Sequence, residues 1–155
     1  MERNTKNLPE LIIDTSTFFS ALYNRRGNEA QLFNLADKGH FRIIIFQYVY
    51  DELKAVFSRK SIDFDLVIDL LDTYQNICID DIETLTDPEI SLATELISDP
   101  KDRPIFIYVH RRISASANVF FVSGDKVFFN KDVLKSLDNR VFRSKEFIEK
   151  ITKVL

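Results

Sequence analysis

Leu11-Ile12-Ile13-Asp14-Thr15-Ser16 is a short apolar run that ends in a carboxylate and turns polar at once. A run of this length between small polar residues fits a buried strand of a parallel sheet, because a strand covered on both faces loses the alternation of a half-exposed one. In open parallel sheets ligands sit beyond the carboxyl ends of the strands, so Asp14 is predicted to reach into the functional crevice. Asn118-Val119-Phe120-Phe121-Val122-Ser123-Gly124-Asp125 repeats the order of apolar run, small residues and carboxylate. Two strands that each deliver an Asp to one sheet edge make an acidic site suited to a cation.

Between these runs the pattern alternates. Thr15 or Ser16 is placed to cap a helix bearing Phe18, Phe19, Ala21 and Leu22, which stops near Arg25-Arg26-Gly27-Asn28. A second helix is predicted from about Glu29 through Lys38, closed by Gly39. Phe41 to Phe46 is a β-branched strand run, and from Gln47 the period turns helical, with Val49, Leu53, Val56 and Phe57 on one stripe. Asp65 to Tyr74 is a further amphipathic segment, and Ile77-Cys78-Ile79 a minimal strand. Pro88 opens a helix through Ile97, and Asp99 to Pro104 is a turn into another carrying Ile105, Phe106, Val109 and Ile113. A loop is expected after Val122, then a short strand at Val141-Phe142-Arg143 and a terminal helix capped by Ser144. Strands alternating with helices predict a three-layer α/β/α sandwich around a central, mainly parallel sheet with right-handed crossovers.

A chain of 155 residues suffices for one core, so residues 1–155 are read as a single domain with a frayed polar start. Hydrophobic residues at 45% and charged ones at 29% exclude a disordered chain, and the few Gly and Pro exclude linker-like segments. No apolar stretch approaches the roughly 20 residues of a membrane span and the start lacks a signal peptide's apolar region, so no membrane contact and a cytoplasmic location are expected. The single Cys78 rules out an internal disulfide and a Cys-based zinc site and is expected to be a core thiol. A net charge of −3 lacks the basic excess of many nucleic-acid binders, though acids gathered in one site can offset a local basic rim.

Asp14, Glu52, Asp99, Asp102 and Asp125 each follow a strand or fall in the first turns of a helix, positions that share one edge of a doubly wound sheet. Hard carboxylate oxygens suit Mg²⁺ or Mn²⁺, and His40 and His110 form no ligand cluster in sequence. Each acid has a plain alternative. Asp14 fits a helix cap, Glu52 a solvated surface acid, Asp99 or Asp102 an N-cap before Pro100 or Pro104, with capping favoured for Asp99, and Asp125 a turn residue after Gly124. Their joint occurrence at strand exits is what favours a site.

Ile12-Ile13-Asp14-Thr15-Ser16 resembles the opening strand of the PIN domain nucleases, and Tyr48-Val49-Tyr50-Asp51-Glu52-Leu53 resembles their glutamate-bearing helix. Asp99-Pro100-Lys101-Asp102-Arg103-Pro104-Ile105 is similar to a turn in a prokaryotic toxin-like branch, and Val122-Ser123-Gly124-Asp125-Lys126 to its strand exit. The resemblance covers residues 9 to 130 or so. It implies a metal-dependent ribonuclease for single-stranded RNA, the toxin of a toxin–antitoxin pair, with Asp14, Glu52, Asp102 and Asp125 as catalytic metal ligands. Ser16 and Ser123 match hydroxyl positions that support the carboxylates, with Asp99 beside them. One departure stands out: Val127 replaces a second acid usual in that branch, which keeps a weak or inactive PIN-like module binding RNA or a protein as the alternative.

A polyanionic substrate needs cationic walls, for which Lys101, Arg103, Arg111, Arg112, Lys126 and Arg25-Arg26 are the candidates, with Tyr23 or Tyr108 as stacking surfaces for a base. An antitoxin protein partner is implied by the toxin resemblance. A homodimer through Phe18 to Phe33 or Asp65 to Tyr74 is an expectation that the core explains equally well. A receiver domain is disfavoured, because Phe46 ends the second strand without a phosphoacceptor acid.

Overall fold

The computed structural model describes residues 8–81 and 84–153, so the polar start expected to fray lies outside the described residues. Five strands form one sheet: β1 Glu10–Ile13, β2 Arg42–Phe46, β3 Ile77–Asp80, β4 Val119–Val122 and β5 Val141–Phe142. Their spatial order is β3-β2-β1-β4-β5, and every neighbouring pair is parallel. β1 is central because it is apolar on both faces: Leu11, Ile12 and Ile13 have no exposed surface. Leu11 lies opposite Ile43 on one side and Phe120 on the other.

The helices are α1 Thr15–Tyr23, α2 Asn28–Asp37, α3 Gln47–Arg59, α4 Asp65–Thr73, α5 Asp87–Leu96, α6 Arg103–Ala115, α7 Lys131–Ser136 and α8 Ser144–Thr152. On one face α2 packs against α1 and α8, and edge-on ring pairs Phe18/Phe33 and Phe41/Phe147 fill the layer at 5.4 and 5.3 Å. On the other, α5 packs on α6, and Phe46/Tyr108 and Phe121/Phe128 close at 5.2 and 5.0 Å. Residues one apart on a strand, such as Phe120 and Phe121, thus serve opposite layers. This is the expected three-layer α/β/α sandwich.

From β1 the chain builds outward through β2 to β3, then crosses back to lay β4 on the free side of β1. The reversal opens a crevice between β1 and β4 at their carboxyl ends, where doubly wound sheets bind ligands.

Four local expectations change. Asp14, not Thr15 or Ser16, caps α1, accepting the Thr17 N–H; a carboxylate beside a helix N-terminus is the stronger acceptor there. Ser144 is the first residue of α8 and Arg143 its cap, without a side-chain hydrogen bond. The loop after Val122 contains a 3-10 turn, Lys126–Phe129, and α7, whose six residues are too few to print a stripe in sequence. Cys78 is half-buried on the edge strand β3, so its thiol packs against the core without entering it. Gly39 takes the left-handed conformation, φ 88°, that lets its N–H and that of His40 close the end of α2 on Ala36 and Leu35. Among the described residues, no helix is long and apolar enough to cross a membrane.

Candidate active site

Asp14 is held before anything binds. It is 7% exposed, its Oδ1 accepts from Thr17 N–H at 2.9 Å and Ser16 Oγ at 3.1 Å, and its Oδ2 accepts from Ser123 Oγ at 2.5 Å. Ser123 Oγ in turn accepts the Asp125 N–H at 3.0 Å. One hydroxyl therefore fastens the exit of β4 to the exit of β1, across 109 positions of sequence. Charge-assisted bonds of this kind fix a carboxylate's orientation as well as its charge.

Around Asp14 stand Glu52 from α3, Asp102 from the 3-10 turn Pro100–Asp102, and Asp125 from the exit of β4. They line one cleft with Thr15, Ser16, Tyr48, Val49, Lys101, Ile105 and Phe128. Its volume of about 110 Å³ suits a hydrated ion and a phosphate rather than a drug-sized ligand, whose pockets run from roughly 300 Å³. Val49, Ile105 and Phe128 are buried and make its floor.

The electrostatics follow from that crowding. Burial, then the charges of Asp125, Asp99, Glu52 and Asp14, push the Asp102 carboxyl up to about 6. Asp102 caps α6 without a side-chain hydrogen bond, so the N–H groups at the start of that helix do not offset the repulsion. Tyr48 is pushed up from the usual phenol value by burial, then by Glu52, Asp102 and Asp99. Hard oxygen donors converging around unrelieved negative charge are the donor chemistry that fits Mg²⁺ or Mn²⁺. As the side chains stand, no three His, Cys, Asp or Glu residues among the described residues form a closed ligand group. Carboxylates without a counter-charge keep apart, and a cation draws such oxygens inward.

The remaining candidates divide. Asp99 caps the Pro100–Asp102 turn, accepting the Lys101 N–H at 3.0 Å, and stays outside the lining. Lys101 borders the cleft, and Lys126 is exposed one residue beyond Asp125. Arg103 is turned away, donating to the carbonyls of Ile97 and Ser98 at 2.8 and 3.1 Å. Arg111 grips Glu89 through two bonds of 2.9 and 2.8 Å and donates to Thr84 O, while Arg112 pairs with Asp80 and Glu10. Arg25 lines a groove between α1, α2 and α4, away from the acids. Tyr108 is 6% exposed, packed on Phe46, and presents no face to a base; Tyr23 is 85% exposed and stacks on Phe19.

The sequence reading gave Tyr48 no role in the cleft. Its signal was present: Tyr48 precedes Glu52 by four residues and so shares a helix face with it. Ile105 lies three after Asp102 and belongs to the cleft for the same reason.

A family model for the PIN domain matches residues 10–111. Among solved structures, the fold is similar to VapBC2 from Rickettsia felis bound to a DNA fragment from its promoter, at 16% identity and a TM-score of 0.57, over 77% of this chain and 91% of that one. It is similar also to PAE2754 from Pyrobaculum aerophilum, at 12% identity and a TM-score of 0.58, over 97% and 99% of the two chains. No curated protein sequence matches. With the family model spanning most of the chain and the expected parallel sheet in place, this protein belongs to the PIN domain family.

Proposed function

We propose that this protein is a metal-dependent endoribonuclease that cleaves single-stranded RNA, working as the toxin of a toxin–antitoxin pair. The observation that carries this reading is the meeting of Asp14, Glu52, Asp102 and Asp125 in one cleft at the β1/β4 crevice. Those four would hold Mg²⁺ or Mn²⁺. When bound, such an ion lowers the pKa of a water and neutralises charge on the attacked phosphate.

The chain's own contribution is placement. Ser123 and Ser16 hold Asp14 in one rotamer, and the Asp125 N–H on Ser123 keeps the second strand exit in step. Burial and the neighbouring carboxylates push the Asp102 carboxyl up to about 6, which still leaves this ligand mostly ionised at neutral pH. Lys101 at the cleft's border, with Lys126 close by, supplies the positive charge a phosphodiester backbone requires. Hydrolysis in line with the leaving oxygen would leave 5′-phosphate and 3′-hydroxyl ends.

Two supports bear on the toxin reading. The Asp99 to Ile105 and Val122 to Lys126 motifs resemble a prokaryotic toxin branch, and the fold is similar to VapBC2, captured on its own promoter DNA. A neighbouring antitoxin protein is thus the expected partner. The test is direct: purified chain with Mn²⁺ cleaves single-stranded RNA, and Asp14→Asn abolishes cleavage. Cleavage surviving both Asp14→Asn and Asp125→Asn, once contaminating nucleases are excluded, would refute the reading.

Val127 favours one second reading. It stands where the resemblance expects an acid, and its side chain packs against the core, so it offers the cleft no oxygen. A chain that binds Mn²⁺ poorly in calorimetry and binds RNA without cutting it would be an inactive PIN-like module instead.

A further inference from the structure

Glu52 and Asp102 reach the cleft from elements that share no strand: α3, and the short turn ahead of α6. The turn's other polar contacts are local. Asp99 accepts from Lys101 N–H, Asp102 N–H bonds to Asp99 O at 3.1 Å, and Arg103 donates to Ile97 and Ser98. These bonds hold the turn to itself and do not reach α3, against which apolar packing such as that of Val49 and Ile105 otherwise seats it.

Among the described residues, one hydrogen bond crosses that gap. Tyr48 Oη donates to the carbonyl of Lys101 at 2.9 Å, joining positions 53 apart. Lys101 is covalently next to Asp102, and Tyr48 is one helical turn before Glu52 on the same face of α3. The tether thus links the helix that carries Glu52 to the residue beside Asp102 and opposes the repulsion between the two carboxylates. The Tyr48 ring also borders the cleft, so the bond lies beside the acids and not behind them.

We propose that Tyr48 is a positioning residue: its hydroxyl sets the separation of Glu52 and Asp102, and so the affinity of the cleft for a divalent cation. The inference rests on the metal-site reading above and deepens it. Removing only the hydroxyl lets the turn drift from α3 while the ring keeps its packing. A single neutral, partly solvated hydrogen bond translates into a change of about three- to tenfold.

The experiment compares the full-length chain with Tyr48→Phe and with Tyr50→Phe, which removes a hydroxyl from the same helix away from the cleft. Mn²⁺ affinity is read by titration calorimetry, amide exchange at Lys101 and Asp102 by NMR, and global stability by thermal melting. Tyr48→Phe should raise the Mn²⁺ dissociation constant about three- to tenfold and speed exchange at those two amides, with a melting temperature near that of the parent. Tyr50→Phe should leave all three unchanged. Wild-type Mn²⁺ affinity in Tyr48→Phe overturns the proposal whatever the exchange rates, as does equal weakening by Tyr50→Phe. If the parent chain binds no Mn²⁺, the metal-site reading fails and takes the cation role with it, while the exchange rates still decide whether the tether exists.

Discussion

Asp102 is costly to the protein that carries it. The folded chain holds this proton up to about pH 6, whereas an unfolded chain releases it near the ordinary 3.8. The folded state therefore binds more protons across that window, and stability falls as pH rises through it. Asp102→Asn is expected to raise the melting temperature of the metal-free chain at pH 8 and to change it little at pH 4, which a pair of thermal melts would check. The same proton competes with a cation, so Mn²⁺ affinity measured by calorimetry should climb between pH 5 and 7 and flatten above. Ser123→Ala removes the donor on Asp14 Oδ2 and the acceptor for Asp125 N–H; by analogy with supporting residues at metal sites, the expected loss is about 10–100-fold in Mn²⁺ affinity or cleavage rate. Ser16→Ala, which removes a longer bond on the other oxygen, should cost less in the same assays.

At the scale of elements, α5 and α6 are joined by a clasp. Thr86 and Glu89 form a capping box at the start of α5, and Glu89 also takes both bonds from Arg111 of α6. The Arg111 guanidinium, foremost, with Thr86 beside it, holds the Glu89 carboxyl down to about 2. Here the unfolded chain binds the proton more tightly, so this contribution is complete above about pH 4.5 and is lost as pH falls toward 2. Glu89→Gln should lower stability by about 1 kcal/mol at pH 7, a cap-sized effect, and by almost nothing at pH 2, as urea melts at the two pH values would reveal. The apolar strand runs were readable in sequence because burial on both faces leaves an unbroken hydrophobic print. The arginines were not, because nearness in sequence says nothing of helix face. Arg111 follows Asp102 by nine residues, about two and a half turns at 3.6 residues each, which sets it on the opposite side of α6. Arg103 is adjacent to Asp102, yet the carbonyls left open by the end of α5 claim its guanidinium. Asp14 and Asp125 could be placed in one cleft for the reverse reason, since strand exits of a parallel sheet share an edge whatever the loops do, whereas Glu52 on α3 and Asp102 in the turn before α6 were brought to it by the motif resemblance.

Taken whole, the molecule sets an acidic hollow in a chain of net charge −3, so on the ribonuclease reading a hold on RNA would come from a few local cations. Lys101→Ala is expected to weaken RNA binding to the same degree across different sequences and to lower the salt slope of the association constant by about 1, as fluorescence anisotropy at several ionic strengths would measure. Saturating Mn²⁺ should stabilise the fold. A hundredfold excess over the dissociation constant gives about 2.7 kcal/mol. At about 2–4 °C per kcal/mol for a chain of this size, the melting temperature should rise by roughly 5–10 °C, and Asp14→Asn should erase the rise. The helices named for a twofold contact differ: Phe18 and Phe33 are spent in the core, while α4 exposes Leu66 and Ile68 at 46% and 40%.

The strand order also bears on biosynthesis. β1, β2 and β3 leave the ribosome first, but the flank of β1 that completes the crevice is filled only by β4, which brings Ser123 and Asp125 with it. A nascent chain stalled before that point carries Asp14, Glu52 and Asp102 with neither the clasp on Asp14 nor the final carboxylate. On the ribonuclease reading, each nascent chain therefore lacks its assembled site until β4 has been made and laid beside β1.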